Sequence, residues 1–217
     1  MARPVPRANR WFPRPVWEGA SCYIVGGGPS LEGLSWDALR GRNVLGCNAA
    51  LYLGVEIVPI ILFGDAAFLR QHRAALDRYV EQGGQVVSCS PRLQDPPSYV
   101  KVMGKVLHGL APNALGWNGN TGAAAVNMAL LLGADPIYLL GFDMQLSPTG
   151  RSNFHTAYSV PPNAKAYNRF LRGMDRVAQD LGRMFPDQRV INLEDGTSAL
   201  TVFPKESLKL HFQEVLQ

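Results

Sequence analysis

Residues 121–143, TGAAAVNMALLLGADPIYLLGFD, decide the fold. The first twelve are rich in Ala and Leu and stop at Gly133, so they read as a helix ended by a residue that tolerates the left-handed region. Three residues later PIYLLG (136–141) is a short, unbroken apolar run. A run of that length bounded by Pro and Gly reads as a strand buried on both faces, the kind found in parallel sheets.

The same alternation extends outward in both directions. SCYIVG (21–26), NVLGC (43–47), IVPIILF (57–63), QVVSC (85–89) and RVINL (189–193) read as strands, with Pro59 marking an edge or an irregular start. YVKVMGKVL (99–107) alternates and reads as a further strand. Residues 29–40 read as a turn and a short helix. Residues 66–82 read as a helix, with Phe68, Leu69, Leu76, Tyr79 and Val80 on one face and Gly83-Gly84 as the stop. Further helices are expected over 163–184 and over 204–216, the latter with Pro at its start. Residues 144–162 carry several prolines and glycines and no periodicity, which suits a lid over a site. Strand and helix alternating along a whole chain predict an α/β fold: a single Rossmann-like domain over 21–217, with a mostly parallel sheet, helices on both faces and a short lid. A basic arm, 1–20, precedes it.

Composition narrows the class. The chain has 217 residues, 47% hydrophobic and only 18% charged, so it can build a core and is not of disordered type. Its net charge of +4 is too mild to argue for nucleic acid by itself. The distribution is more telling, since Arg3, Arg7, Arg10 and Arg14 precede the first acid, Glu18, with Trp11 and Phe12 among them. Such an arm either frays or packs on a neighbour, or it touches a polyanion. The three cysteines are odd in number and lie in apolar runs, which fits buried thiols in a reducing compartment. Pro and Arg interrupt any N-terminal signal, and no run reaches the roughly 18 apolar residues that span a bilayer. The expectation is a cytoplasmic protein that does not engage membranes. Leu208, Phe212 and Val215 face either the core or a second copy in a homo-oligomer.

Parallel sheets bind ligands at the carboxyl ends of their strands, where the strand order reverses. The residues that follow each strand are therefore the candidates. The first strand ends in Gly26-Gly27-Gly28-Pro29-Ser30, where glycines let backbone N–H groups approach an anion ahead of a helix start. The turn is neither GxGxxG nor a Walker A loop, and a plain tight strand–helix turn would look the same. Asn48 and Asp65 follow two more strands, Asn120, Thr121 and Gly122 open the helix quoted above, and Asp143 follows PIYLLG. Each also has a simple structural reading: Asn48 as a turn former, Asp65 and Asn120 as helix caps, Asp143 as a turn closure. Together they suit a nucleotide, since amides read base edges and carboxylates read ribose hydroxyls. His155, in the lid, is the candidate general base; a lone loop histidine can equally be an exposed surface residue.

The runs YIVGGGPSL, GCNAA and NTGAAAVNMALLLGADPIYLLGFDM resemble the bacterial CMP-sialic-acid-dependent sialyltransferases. They equally resemble a broader superfamily related to 6-hydroxymethylpterin pyrophosphokinase and to flagellin-modifying glycosyltransferases, with short members in phage genomes. The similarity covers residues 22–143, and more loosely His155 and 190–204. It implies Gly27 and Gly28 under the donor phosphate, Asn48, Thr121 and Asp143 on the donor, and His155 as base. The family's two phosphate-holding tyrosines have no match, and Gln145 and Arg151 stand at the corresponding positions. Arg151 can assist departure of the phosphate, since a guanidinium holds phosphate well. No Asp-x-Asp is present, so no resident metal or tightly bound cofactor is expected. The implied activity is glycosyl transfer from a nucleotide-sugar donor, CMP-type favoured, to an acceptor hydroxyl. The acceptor is open, with DNA engaged by the basic arm, in a phage-infected host cytoplasm, as one candidate. The alternatives are an ATP-dependent pyrophosphokinase using Mg²⁺ through Asp65 and Asp143, and a nucleotide-binding or phage assembly protein without turnover.

Overall fold

The structure is a computed structural model and describes residues 6–157, 164–196 and 198–215. Its elements are, in order, β1 (Cys22–Val25), β2 (Asn43–Cys47), β3 (Ile60–Phe63), α1 (Ala66–Gln71), α2 (Arg73–Glu81), β4 (Gln85–Ser88) and β5 (Val100–Val102). Then come β6 (Lys105–Val106), β7 (Leu115–Gly116), α3 (Thr121–Leu131), β8 (Ile137–Leu140), α4 (Ala164–Met184), β9 (Val190–Leu193), β10 (Lys205–Glu206) and α5 (Leu208–Val215). Eight strands form one sheet in the order β10-β9-β8-β1-β2-β3-β4-β5, and every neighbouring pair is parallel. Successive strands step one way from β1 to β5 and the other way from β8 to β10. The order therefore reverses between β1 and β8, and the crevice there is the predicted ligand site.

Alternation along the strands builds two cores. Cys22 and Ile24 of β1 face α3 and α4, packing with Ala124, Val126, Met174 and Val177. Tyr23 and Val25 face the opposite side, with Leu76 and Tyr79 of α2 and Leu208 and Phe212 of α5. Helix α3 is buried nearly all round, which explains why it has no polar face. Its alanines at 123–125 and 129 let it lie close against the sheet.

Several expectations need correction. Residues 29–40 form two short 3-10 turns, Pro29–Leu31 and Trp36–Leu39, because Gly33 at φ 79° breaks the chain between them. The helix expected over 66–82 is two helices divided at His72. The strand expected over 57–63 begins only after Pro59. The alternating run 99–107 splits at Met103-Gly104 into β5, on the main sheet, and β6, which pairs with β7 alone. Residues Lys205–Glu206 add a two-residue edge strand where a continuous helix was expected. The lid is irregular over 144–157, and its remainder, 158–162, lies outside the described residues.

The arm folds back on its own domain. Arg10 bridges Val102 in parallel, and Trp11 N–H donates to the Val102 carbonyl at 3.0 Å. Asn9 is 4% exposed and donates through Nδ2 to the carbonyls of Pro97 (2.7 Å) and Val100 (2.9 Å). The Lys101 ammonium lies 4.9 Å over the Trp11 ring. Residues 9–11 thus cover the β5 edge, which would otherwise present open backbone groups, while Arg7, Arg10 and Arg14 stay exposed.

Candidate functional site

The loops after β1 and β8 are locked together. Gly26 N–H donates to Leu140 O and Gly28 N–H to Gly141 O, each at 2.8 Å. Both carboxylate oxygens of Asp143 accept from Ser30, from its N–H at 2.7 Å and its hydroxyl at 2.5 Å. A Cβ on Gly28 would stand 2.6 Å from Asp143 Cγ and from Gly141 O, so glycine is needed there for the close approach. Asp143 is 3% exposed, and burial pushes its carboxyl above the usual range against the two Ser30 bonds, with the Glu194 charge adding to the rise. Asp143 therefore acts as the clasp of the switch point. The expected helix start at Ser30 is a three-residue 3-10 turn, too short to carry a useful dipole.

A second turn faces the first. Asn48 follows β2 at φ 53°, a conformation Asn tolerates, and its Nδ2 donates to Thr121 Oγ1 at 3.2 Å. Asn120 is the N-cap of α3, with Oδ1 accepting from Ala123 N–H at 2.7 Å. A Cβ on Gly122 would meet the Phe142 ring at 2.5 Å, so this glycine brings α3 against the β8 loop. Asp65 is exposed and makes no capping hydrogen bond to α1, which leaves its carboxylate toward the cleft. Beside it the Trp117 ring covers Gly64, where a Cβ would meet it, and the Lys105 ammonium lies 3.8 Å from the Trp117 centroid.

The described part of the lid sits on the glycine turn. Phe154 N–H donates to Gly27 O at 3.1 Å, and the Phe154 ring packs on Trp36 at 5.3 Å. Asn153 Oδ1 lies 2.8 Å, and His155 Nε2 3.7 Å, from where a Cβ on Gly27 would stand. His155 Nδ1 accepts a long hydrogen bond, 3.3 Å, from Ala157 N–H. Burial holds the His155 imidazole below its ordinary pKa, so it is neutral at physiological pH. Arg151 does not line the cleft; it is exposed and ion-paired with Glu32.

These groups open onto one cleft of about 1320 Å³. It is lined by Gly26, Gly27, Gly28, Asn48, Asp65, Asn120, Thr121, Gly122, Asp143 and His155, so the structure brings ten of the expected residues together. Ser30 stands behind the wall, on Asp143. Sequence reasoning missed Tyr167 and Arg169 of α4, and Arg70, Arg92, Lys105 and Trp117 at the far end. One signal pointed to α4: Gly173 lies mid-helix, where glycine is costly, and a Cβ there would stand 2.2 Å from Asn118 O. The helix crosses the 118–120 turn at that point. The three cysteines are free and buried, and burial raises Cys47 to about 12 and Cys89 to about 11. They are inert thiols. Among the described residues no three His, Cys, Asp or Glu side chains converge as metal ligands. No helix there is long and apolar enough to cross a membrane.

No family model and no curated protein matches the sequence. Solved structures do match in fold. The Maf glycosyltransferase from Magnetospirillum magneticum AMB-1 superposes with a TM-score of 0.60 at 17% identity over 96% of this chain, which spans only 40% of that protein. The sialyltransferase CstII from Campylobacter jejuni, solved with the substrate analogue CMP-3FNeuAc, superposes at 0.53 with 14% identity over 86% of both chains. Monomeric CstII gives 0.50 at 14% identity over 85% of this chain. The fold is thus the one the sequence resemblance implied, that of the sialyltransferase-like glycosyltransferases.

Proposed function

We propose that this chain transfers a sugar from a nucleotide-activated donor to an acceptor hydroxyl. One observation carries the reading: a half-buried, neutral imidazole, His155, is held over the glycine turn at the topological switch point of a parallel sheet. In the proposed reaction His155 takes the acceptor's proton as the acceptor oxygen bonds the anomeric carbon. The bond from that carbon to the donor phosphate breaks, and its electron pair leaves on the phosphate oxygen. The imidazole receives that proton on its unprotonated ring nitrogen and becomes an imidazolium. Asn48, Thr121 and Asp65 are assigned to the donor, and Asp143 acts on it through Ser30 and the turn. Closure of the lid keeps water from hydrolysing the donor.

The acceptor belongs at the far end, beyond Trp117, where Arg70, Arg92 and Lys105 line the cleft. These cations, with exposed Arg7 and Arg10 beside β5, support an anionic acceptor such as DNA. A melting-temperature screen against CMP, CDP, UDP, GDP and ATP, with and without Mg²⁺, tests the donor class, since a ligand of the folded state raises Tm by mass action. A metal-independent rise with CMP or another sugar-nucleotide product is expected. A rise only with ATP and Mg²⁺ would replace this reading by pyrophosphoryl transfer. No rise with any ligand would favour a protein without turnover.

A further inference from the structure

Two hydrogen-bond donors without partners lie on residues lining the same cleft, one of them where α3 begins. Asn120 is 9% exposed, and its Nδ2 has under 1 Å² of surface and no partner among the described residues. The Tyr167 hydroxyl, on the cleft wall formed by α4, is screened and unpartnered in the same way. Bulk water cannot satisfy either atom, and buried polar groups left unsatisfied in a native fold call for an explanation. Burial raises the Tyr167 phenol above its ordinary pKa, so it remains a donor at neutral pH. The Arg169 stem lies over Gly119, its Cγ 3.1 Å from where a Cβ would stand, which brings a guanidinium to the same turn. The first N–H groups of α3 have no intrahelical acceptor, and Asn120 caps only that of Ala123. Eleven residues of helix add the positive end of their dipole.

Asn120 Nδ2, the Arg169 guanidinium and the helix N–H groups can only donate, and the Tyr167 hydroxyl can donate as well as accept. An acceptor-rich anion can take all of them at once, whereas a sugar hydroxyl would find an acceptor only at a hydroxyl such as that of Tyr167. The glycine turn has less to offer. The N–H groups of Gly26, Gly28 and Ser30 already donate to Leu140 O, Gly141 O and Asp143, and Pro29 has none, which leaves that of Gly27.

We propose that the phosphoryl group of the donor nucleotide sits between the start of α3 and the start of α4, held by Asn120 Nδ2, the Tyr167 hydroxyl and the Arg169 guanidinium. This departs from the position over Gly27 and Gly28 that the resemblance implies, and it rests on the nucleotide-donor reading above. Phosphate oxygens satisfy both orphaned donors and meet the helix N-terminus, an established way to bind phosphate.

The test compares cytidine with CMP by titration calorimetry on the full chain. The proteins are wild type, Tyr167→Phe, Arg169→Gln and Asn120→Asp, the last keeping the capping oxygen so that α3 still starts correctly. Melting curves establish that each variant folds. Tyr167→Phe is expected to weaken CMP about 2- to 10-fold, as for one neutral hydrogen bond, and the two charge changes by about 10-fold or more. Cytidine should bind all four proteins alike. Equal losses for cytidine and CMP, or no loss for CMP, would overturn the proposal; a buried water satisfying the two donors would give the second result. If neither cytidine compound binds wild type, the cytidine donor is wrong, and inorganic pyrophosphate then decides the subsite. Binding of pyrophosphate that the three variants weaken keeps the subsite with a different nucleotide, and no binding overturns it.

Discussion

Two turns meet at the centre of the cleft, and they use their hydrogen bonds in opposite ways. The glycine turn after β1 has given three of its amides, those of Gly26, Gly28 and Ser30, to the β8 loop and to Asp143. The turn before α3 keeps a side-chain amide and the first helical N–H groups open, with an arginine brought up to it by α4 and the Tyr167 hydroxyl on the same cleft wall. A sequence with three consecutive glycines draws attention to the first turn. On the proposed reading, the phosphate goes to the second. Glycine at the first serves close approach, so that two loops can be clasped at the switch point and the lid can lie on them.

The largest effect expected from breaking this arrangement is on turnover. His155→Ala should lower kcat about 10²- to 10⁴-fold while nucleotide affinity holds, measured by product release and by calorimetry. Because burial lowers the His155 pKa, its basic form appears at lower pH than usual. The acid limb of kcat should therefore have its midpoint below 6.5, the ordinary value for imidazole.

Stability sharpens the picture of the closed turn. Gly28→Ala forces a Cβ against backbone and carboxylate, and urea denaturation should report a loss of about 1–3 kcal/mol. Gly27→Ala meets only the end of the Asn153 side chain, which can swing away, so its loss should be smaller. Equal losses at the two positions would mean that the turn is not clasped as described.

Asp143→Asn tests the clasp electrostatically. The raised pKa of Asp143 means that its protonated form is favoured in the folded state. The contribution is fully present below the unfolded value, near 3.8, and is lost as pH rises through the folded value. Wild type should thus lose stability relative to Asp143→Asn as pH rises across that window, and the difference should be flat above it. Asn can still accept from Ser30 N–H and donate to the Ser30 hydroxyl, so folding is retained. The smallest effect is at the lid edge. Arg151 and Glu32 side chains are 41% and 57% exposed, and Glu32→Ala should cost no more than about 1 kcal/mol.

Most of the sheet was legible because buried parallel strands leave continuous apolar runs and α3 leaves an alanine-rich one. That the residues after each strand would line one cleft was legible through the same pattern, since the switch-point rule converts strand ends into positions. What was not legible depends on contacts between distant segments. Ser30 and Asp143 are 113 residues apart, and nothing local shows that one occupies both oxygens of the other. Arg151 sits where a phosphate ligand was expected, and only the fold shows it turned to Glu32. Tyr167 and Arg169 sit in a helix whose pattern reads as ordinary amphipathic surface, and their place on the cleft follows from where α4 crosses Asn118. The β10 strand and the docked arm escaped because two- or three-residue pairings leave no periodic trace.

Nucleotide release from CMP-, UDP- and GDP-sugars, measured in the presence of chelator for wild type and His155→Ala, tests the central claim most directly. The account predicts that wild type turns over one of these donors without metal and that His155→Ala does so far more slowly. No release by wild type from any donor that binds it, or equal rates for the two proteins, would contradict it.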